Sequence, residues 1–304
     1  CGYYLEIYQG TGEGGPGGVA MSEDRIFPKE KEEASTEGHL NEKAVVRDKT
    51  SFLKMKEHPW LSVSSFLVIL ILWEVVSRME WIPPLFLPAP SGILTEGWSM
   101  LATGIIFKHI LASLSRILWG FSIACILGVA VGISIGFFSI PEAVGNPIIA
   151  ATFPIPKIAI LPLLILWLGI GEASKVAVIA LGVFFPMVIN VYTGVKNVDP
   201  LLIKAALSLG SNRARVIRKV ILPSILPMIF AGMKLGIGIA LLLVVAAEMV
   251  AADAGIGFMI LTAADLMQTK KLMVGLILLS LLGIFFNWLF QKLERLFIPW
   301  RQSS

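Results

Sequence analysis

Six apolar runs separated by prolines, glycines and clusters of charge dominate the chain from Trp60 onward. They lie near Trp60–Val76, Ile117–Phe138, Val144–Leu168, Val176–Tyr192, Ser224–Val250 and Leu272–Gln291. Each approaches or exceeds the roughly 20 apolar residues that a helix needs to cross a bilayer. The third run holds Pro154, Pro156 and Pro162, which must bend or interrupt it, so it is the expected lining of a pathway. Between the first and second runs, "PPLFLPAPSG" from Pro83 to Gly92 carries too many prolines for a helix interior and predicts an extended loop. The second run contains Gly128, Gly132 and Gly136, and the fifth Gly232 and Gly236, each spaced four apart. Such strips let a second helix approach closely, either within one subunit or across a subunit interface.

Before the first run the pattern disappears. Residues 22–57 are dense in Lys, Glu, Arg and Asp of nearly balanced sign, and so read as a disordered or loosely helical tail, cytoplasmic over residues 21–58. The Gly- and Glu-rich stretch "GTGEGGPGGVA" precedes Met21, and residues 1–20 are read as translated upstream sequence or a tag and set aside. The transmembrane domain is then residues 59–304.

Composition agrees with a lipid solvent. Of the 304 residues 56% are hydrophobic and 15% charged, where a soluble domain carries about 25% charged residues; the mean hydropathy is +0.81. The net charge of +4 is divided among loops, which fits membrane orientation rather than nucleic acid. Cys1, Cys125 and three scattered histidines make neither a disulfide framework nor a metal site, and no nucleophile–base pair for an intramembrane enzyme is visible. No catalytic residue and no metal ligand is therefore assigned.

Charge also sets the orientation. Between the fourth and fifth runs lie Lys196, Lys204, Arg213, Arg215, Arg218 and Lys219 against one acid, Asp199. This loop is expected in the cytoplasm, with both termini on the same side. Its "DPLLIKAALSLGSNRARVIRKVILP" predicts two short helices. Asp199 and Pro200 start the first, Gly210 stops it in the left-handed conformation, Ser211 caps the second, and Pro223 opens the fifth span. Small residues Ala205 and Ala206 leave room for another protein.

Inside the runs, charge is costly and marks functional candidates. Lys157 and Lys234 are candidates for lining an anion path. Glu248 would repel an anion, so a structural or gating part is favoured; Arg116 is one conceivable partner.

The same loop resembles that of ABC importer permeases, written E-A-A, three residues, G, nine residues, I, one residue, L-P. Lys204, Ala205, Ala206, Gly210, Val220, Leu222 and Pro223 fall in that register, with Lys204 replacing the family's glutamate. "LPAPSGI", "HILASLSRILWGF", "FPIPKIAILPLLILWLGIGEASK" and "VVAAEMVAADAGIGFMI" are similar to the nitrate, sulfonate, taurine and bicarbonate subgroup. The resemblance covers roughly residues 83–300, with a family core about 105–295. It implies an all-α integral membrane protein of six transmembrane helices, with a type I importer core and a cytoplasmic coupling-helix loop formed by Asp199, Lys204, Ala205, Ala206, Gly210, Arg213, Val220, Leu222 and Pro223. It further implies a homodimer with a second permease subunit, two ABC ATPase subunits and an extracytoplasmic solute-binding protein, in the bacterial cytoplasmic membrane. The chain has no GxxxxGK[ST] phosphate loop, so no cofactor is expected here, and ATP with Mg2+ belongs to the partner ATPase. A small anion is the implied cargo. An organic nitrogen compound, a vitamin precursor, or a secondary transporter or channel are the alternatives.

Overall fold

The computed structural model describes residues 59–299, and every regular element in that range is helical. The expectations for residues 1–20 and 21–58 fall outside the described residues. The chain divides into two units, Cys1–Ser65 and Phe66–Ser304; of the first, residues 59–65 are described and are helical.

In chain order the helices are α1 (Pro59–Arg78), α2 (Pro90–Ala102), α3 (Ile105–Phe137) and α4 (Ser139–Thr152), then a 3-10 turn (Lys157–Ile160) leading into α5 (Leu161–Leu168). They continue with α6 (Glu172–Lys196), α7 (Pro200–Ser208), α8 (Arg213–Val216), a π turn (Ile217–Ile221), α9 (Leu222–Ala251), α10 (Ile256–Asp265) and α11 (Thr269–Phe297). Among the described residues four helical stretches are long and apolar enough to cross a membrane: Ile105–Phe137, Glu172–Lys196, Arg213–Ala251 and Thr269–Phe297. The bent pair Ser139–Thr152 and Lys157–Leu168, turned by 89°, makes a fifth if counted as one span.

Several boundaries correct the sequence reading. Helix α3 starts at Ile105, not Ile117, because Lys108, His109, Ser113 and Arg116 dilute the hydropathy without breaking the helix. The fifth apolar helix starts at Arg213, not Ser224, and is continuous for 39 residues. The proline-rich segment is helical from Pro90, where proline suits a first turn. Its start is fixed by Glu74 of α1, whose carboxylate accepts from the Ser91 N–H at 3.0 Å and from its hydroxyl at 2.7 Å. The loop after the fifth run holds a further helix, α10, with Ile256, Met259, Ile260 and Ala263 buried.

The interior is organised around α6. Its residues Val178, Ile179, Val183, Met187, Val188 and Val191 are fully buried, with α3 on one side and α9 on another. In lipid there is no hydrophobic drive between helices, so close van der Waals contact must hold them. Glycines supply the closeness. A Cβ placed on Gly128 would sit 2.7 Å from the Met187 Cβ, one on Gly132 would sit 2.7 Å from the Val191 Cβ, and one on Gly136 would sit 2.6 Å from the Val195 Cβ. The strip begins earlier than the sequence pattern alone indicated, at Gly120 against Ile179 and the buried Ala124. On the other side Gly232 faces Met187 and Asn190, and Gly236 faces Val183. Both strips are thus filled within one chain, which resolves the open alternative in favour of internal packing.

The broken span has a local cause. Pro154 and Pro156 cannot donate to the preceding turn, and at the break the carbonyls of Thr152, Phe153 and Ile155 accept from the Lys157 ammonium at 2.7, 3.2 and 2.9 Å.

Replacing Gly132 by Leu should overpack the α3–α6 seam and cost about 1–3 kcal/mol or more. A lower thermal unfolding temperature of the purified protein checks this. Gly238→Ala, where no atom lies within 4 Å of the added Cβ, should leave it unchanged or slightly raised.

Candidate functional site

Two regions carry the chemistry that the sequence singled out. The first is the loop between α6 and α9. The Asp199 side chain accepts from the Leu201 N–H at 2.8 Å, and Pro200 occupies the first helical turn of α7. Gly210 has φ +76, the left-handed region where a Cβ is unfavourable. The chain turns there with the Ser211 N–H donating to the Ala206 carbonyl and the Gly210 N–H to that of Leu207, both at 3.0 Å. The expected stop at Gly210 is therefore present.

The second half of the loop differs from the reading. Asn212, not Ser211, caps α8, accepting from the Arg215 N–H at 2.9 Å. Nor does Pro223 separate α8 from the span: α8 runs through the π turn Ile217–Ile221 into α9 without interruption. A proline ring collides with the carbonyl four residues earlier in a regular helix, and the widened turn relieves that clash. One short helix, α7, is thus carried beside an uninterrupted extension of the fifth apolar helix. Val220, Leu222 and Ala206 pack against a buried cluster containing Val195, Val216 and Ile221. Lys204, Ala205, Arg213 and Pro223 are exposed, as are Leu201 at 69% and Leu209 at 86% of their surface.

The second region is a buried charge cluster. Arg116 of α3 and Glu248 of α9, 3% and 0% exposed, pair at 2.8 Å between Nη1 and Oε1. The partner that sequence could only name as conceivable is the actual one. Glu248 also accepts from the Ser113 hydroxyl at 2.7 Å and from the Gly257 N–H at 2.8 Å. The Ser113 oxygen in turn accepts from the Ile256 N–H at 2.8 Å. These bonds satisfy free amides of α10's first turn with a carboxylate, a favourable placement. They require glycine at 255: its φ is +134, and a Cβ there would lie 2.3 Å from the Glu248 carboxyl carbon.

Arg116 uses its other edge on Glu172, the first residue of α6. Nε reaches Oε2 at 2.5 Å and Nη2 reaches Oε1 at 2.6 Å, a two-pronged contact. The buried Lys175 adds a third donor to Oε1 at 3.2 Å. Glu172, Lys175 and Ser113 escaped the sequence reading. The visible signal was Glu172 and Lys175 three apart on one helix face, which alone describes many solvated pairs.

The remaining path candidates are both engaged. Lys157 stands at the break between α4 and α5, not inside a continuous span, over the Phe185 ring at 4.3 Å. Lys234 is paired with Glu294 of α11. Neither meets the Arg116 cluster through any hydrogen bond among the described residues.

Comparison with known proteins decides the family. The profile of the binding-protein-dependent transport system inner membrane component matches residues 124–298.

The chain belongs to this family.

It is 36% identical over 245 residues to the taurine transport system permease protein TauC of Escherichia coli strain K12, covering 79% of this chain and 89% of that one. The putative aliphatic sulfonates transport permease protein SsuC of Bacillus subtilis strain 168 is 36% identical over 236 residues, 78% and 86% of the two chains. The riboflavin transport system permease protein RibX of Chloroflexus aurantiacus is 33% identical over 239 residues, 79% and 89% of the two. An inward-facing structure of the MetNI methionine ABC transporter shares the fold, with a TM-score of 0.56 at 17% identity, covering 64% of this chain and 96% of that one. This ABC permease is accordingly a multi-pass inner-membrane transport component, and the apolar helices of its fold are the spans of that component.

Within the permease, losing one member of the buried pair should be severe. Arg116→Met leaves Glu248 without its charge partner and should cost about 3–5 kcal/mol, seen as early thermal unfolding in detergent. The double variant Arg116→Met, Glu248→Leu should recover part of that loss.

Proposed function

We propose that this chain is the translocating subunit of an ATP-driven importer for a small organic oxyanion of the sulfonate class, coupled through the Asp199–Pro223 loop to a separate ATPase. The observation that carries the coupling is α7. A nine-residue helix capped at both ends leaves Leu201 and Leu209 exposed, and its far end runs through Asn212 into an uninterrupted 39-residue helix. A push on α7 is therefore delivered to α9 rather than absorbed by a flexible linker. The taurine and sulfonate relatives support the cargo class.

In this reading six spans cross the membrane: α1, α3, the broken α4–α5 pair, α6, α8–α9 and α11. The basic loop and both termini lie in the cytoplasm, and the Glu172 end of α6 lies outside. A second copy of the chain completes the permease as a homodimer. Two ATPases bind ATP and Mg2+ and dock on the α7 loops, and an external binding protein delivers cargo. Lys204 then meets its ATPase with a positive charge. Lys157, bound to carbonyls, and Lys234 and Glu248, each in an ion pair, act here to hold the spans at the break, at α11 and at α10.

Three measurements test this. The permease should co-purify with an ATPase, uptake should cease when that ATPase is inactivated, and a cysteine at position 211 should label only from inside. Uptake without the ATPase, or labelling from outside, would defeat the proposal, and uptake of riboflavin in place of sulfonates would replace the cargo. Gly210→Val imposes a left-handed strain of about 1–2 kcal/mol at the turn. It should lower uptake about tenfold while the protein still inserts in the membrane, as measured by flux per unit of extracted permease.

A further inference from the structure

Arg116 and Lys175 are unusual as an ion-pair partner set. Their side chains are each 3% exposed, while the carboxylate they share, on Glu172, is 59% exposed. Two buried cations thus aim three donors at a carboxylate that has solvent or lipid on its other side. Arg116 does not depend on Glu172 alone to stay in place, whereas Lys175 bonds Glu172 at 3.2 Å. Arg116 Nη1 is held by Glu248 at 2.8 Å and by the Ala254 carbonyl at 2.6 Å, on the opposite edge of the guanidinium. Rotation of the Glu172 side chain would expose a fixed fork and an ammonium with an unmet preference for anionic oxygen.

What lies beside this site is apolar. A groove of about 650 Å³ runs along α6 from Ala173, the next residue, through Ala177 and Leu181 to Phe184, with Ile123 and Leu127 of α3 opposite. Positions 116, 123 and 127 of α3 lie seven and eleven residues apart, hence near one face. Arg116, Lys175 and Glu172 do not themselves line this groove, but Ala173 at its end follows Glu172, so a molecule with an anionic head and a hydrocarbon tail suits the pair of features better than a neutral or cationic one.

We propose that Arg116 and Lys175 form an oxyanion-receiving site for the transported solute, that the Glu172 carboxylate occupies it as an internal stand-in, and that an organic sulfonate displaces Glu172 while its tail lies in the α3–α6 groove. This rests on the sulfonate reading above. It assigns to Glu172 the part of a competitor: the site releases the head group when Glu172 returns, which keeps binding weak enough for onward passage.

The probe is hexane-1-sulfonate, titrated calorimetrically into the purified complex in nanodiscs of neutral phosphatidylcholine, so that no lipid headgroup brings net charge. Glu172→Gln removes the competing charge and should tighten binding about tenfold, and Lys175→Met should weaken it by a similar factor. Across methane-, butane- and hexanesulfonate the affinity should rise about three- to fourfold per added methylene. Equal affinity in all three proteins, or a Glu172→Gln variant that only melts earlier, would overturn the site and leave a structural ion pair. Affinity indifferent to tail length would overturn the groove, as a lipid or a second permease copy filling it would produce. Binding that changes only when anionic lipid is added would assign the fork to a headgroup and overturn the solute site. ATP-dependent uptake of the same sulfonate by the wild-type complex is the separate readout: its absence counts against the cargo proposed above, whereas uptake with unchanged binding counts against this site alone.

Discussion

Everything else in the molecule follows from how closely α6 can approach its two neighbours. Lipid solvates leucine as well as another helix does, so helices associate in a bilayer only where their backbones come near enough for dense contact. Gly120, Gly128, Gly132 and Gly136 remove the side chains that would hold α3 away from α6, and Gly232 and Gly236 do the same for α9. This seam sets register. Once Gly120 meets Ile179, Arg116 falls one turn further along, opposite the start of α6, and its guanidinium reaches Glu172 there and Glu248 on α9.

The charge cluster is consequently a product of packing, and it adds a constraint of its own. Burying Arg116 and Glu248 is expensive unless their bonding capacity is used, and the amides of α10 use it. A short helix that would otherwise be a loop is fixed against α3 and α9. Glu172 differs, because most of its side chain is exposed. A fully buried and a largely exposed carboxylate therefore meet on one guanidinium, one on each edge, at the α6 end away from α7.

At the other end α7 rides on a helix that continues into the core. The sequence pattern conveyed the start of α7 and the left-handed turn there, though not the Asn212 cap of α8, since Asp199, Pro200 and Gly210 act through their own backbone neighbours. It also conveyed the apolar runs, the proline break and the glycine strips, which depend on composition within one or two turns. It misplaced the starts of α3 and of the continuous α8–α9 helix by about three turns. Hydropathy registers Lys108, Arg116, Arg218 and Lys219 as polar, whereas a helix continues through them once partners or solvent meet their charges. The family, too, was readable from the loop, and the profile match over residues 124–298 agrees with it.

The chain by itself determined that lipid would be its solvent, where its apolar helices would fall, and where the basic loop would turn. These are consequences of local chemistry: apolar length, proline geometry and glycine freedom. Only the tertiary structure decided which charges meet. Glu172 and Glu248 lie 56 and 132 residues of chain from Arg116. No local rule links them, because their pairing depends on the register of two helix seams, and register is set by every contact along those seams together.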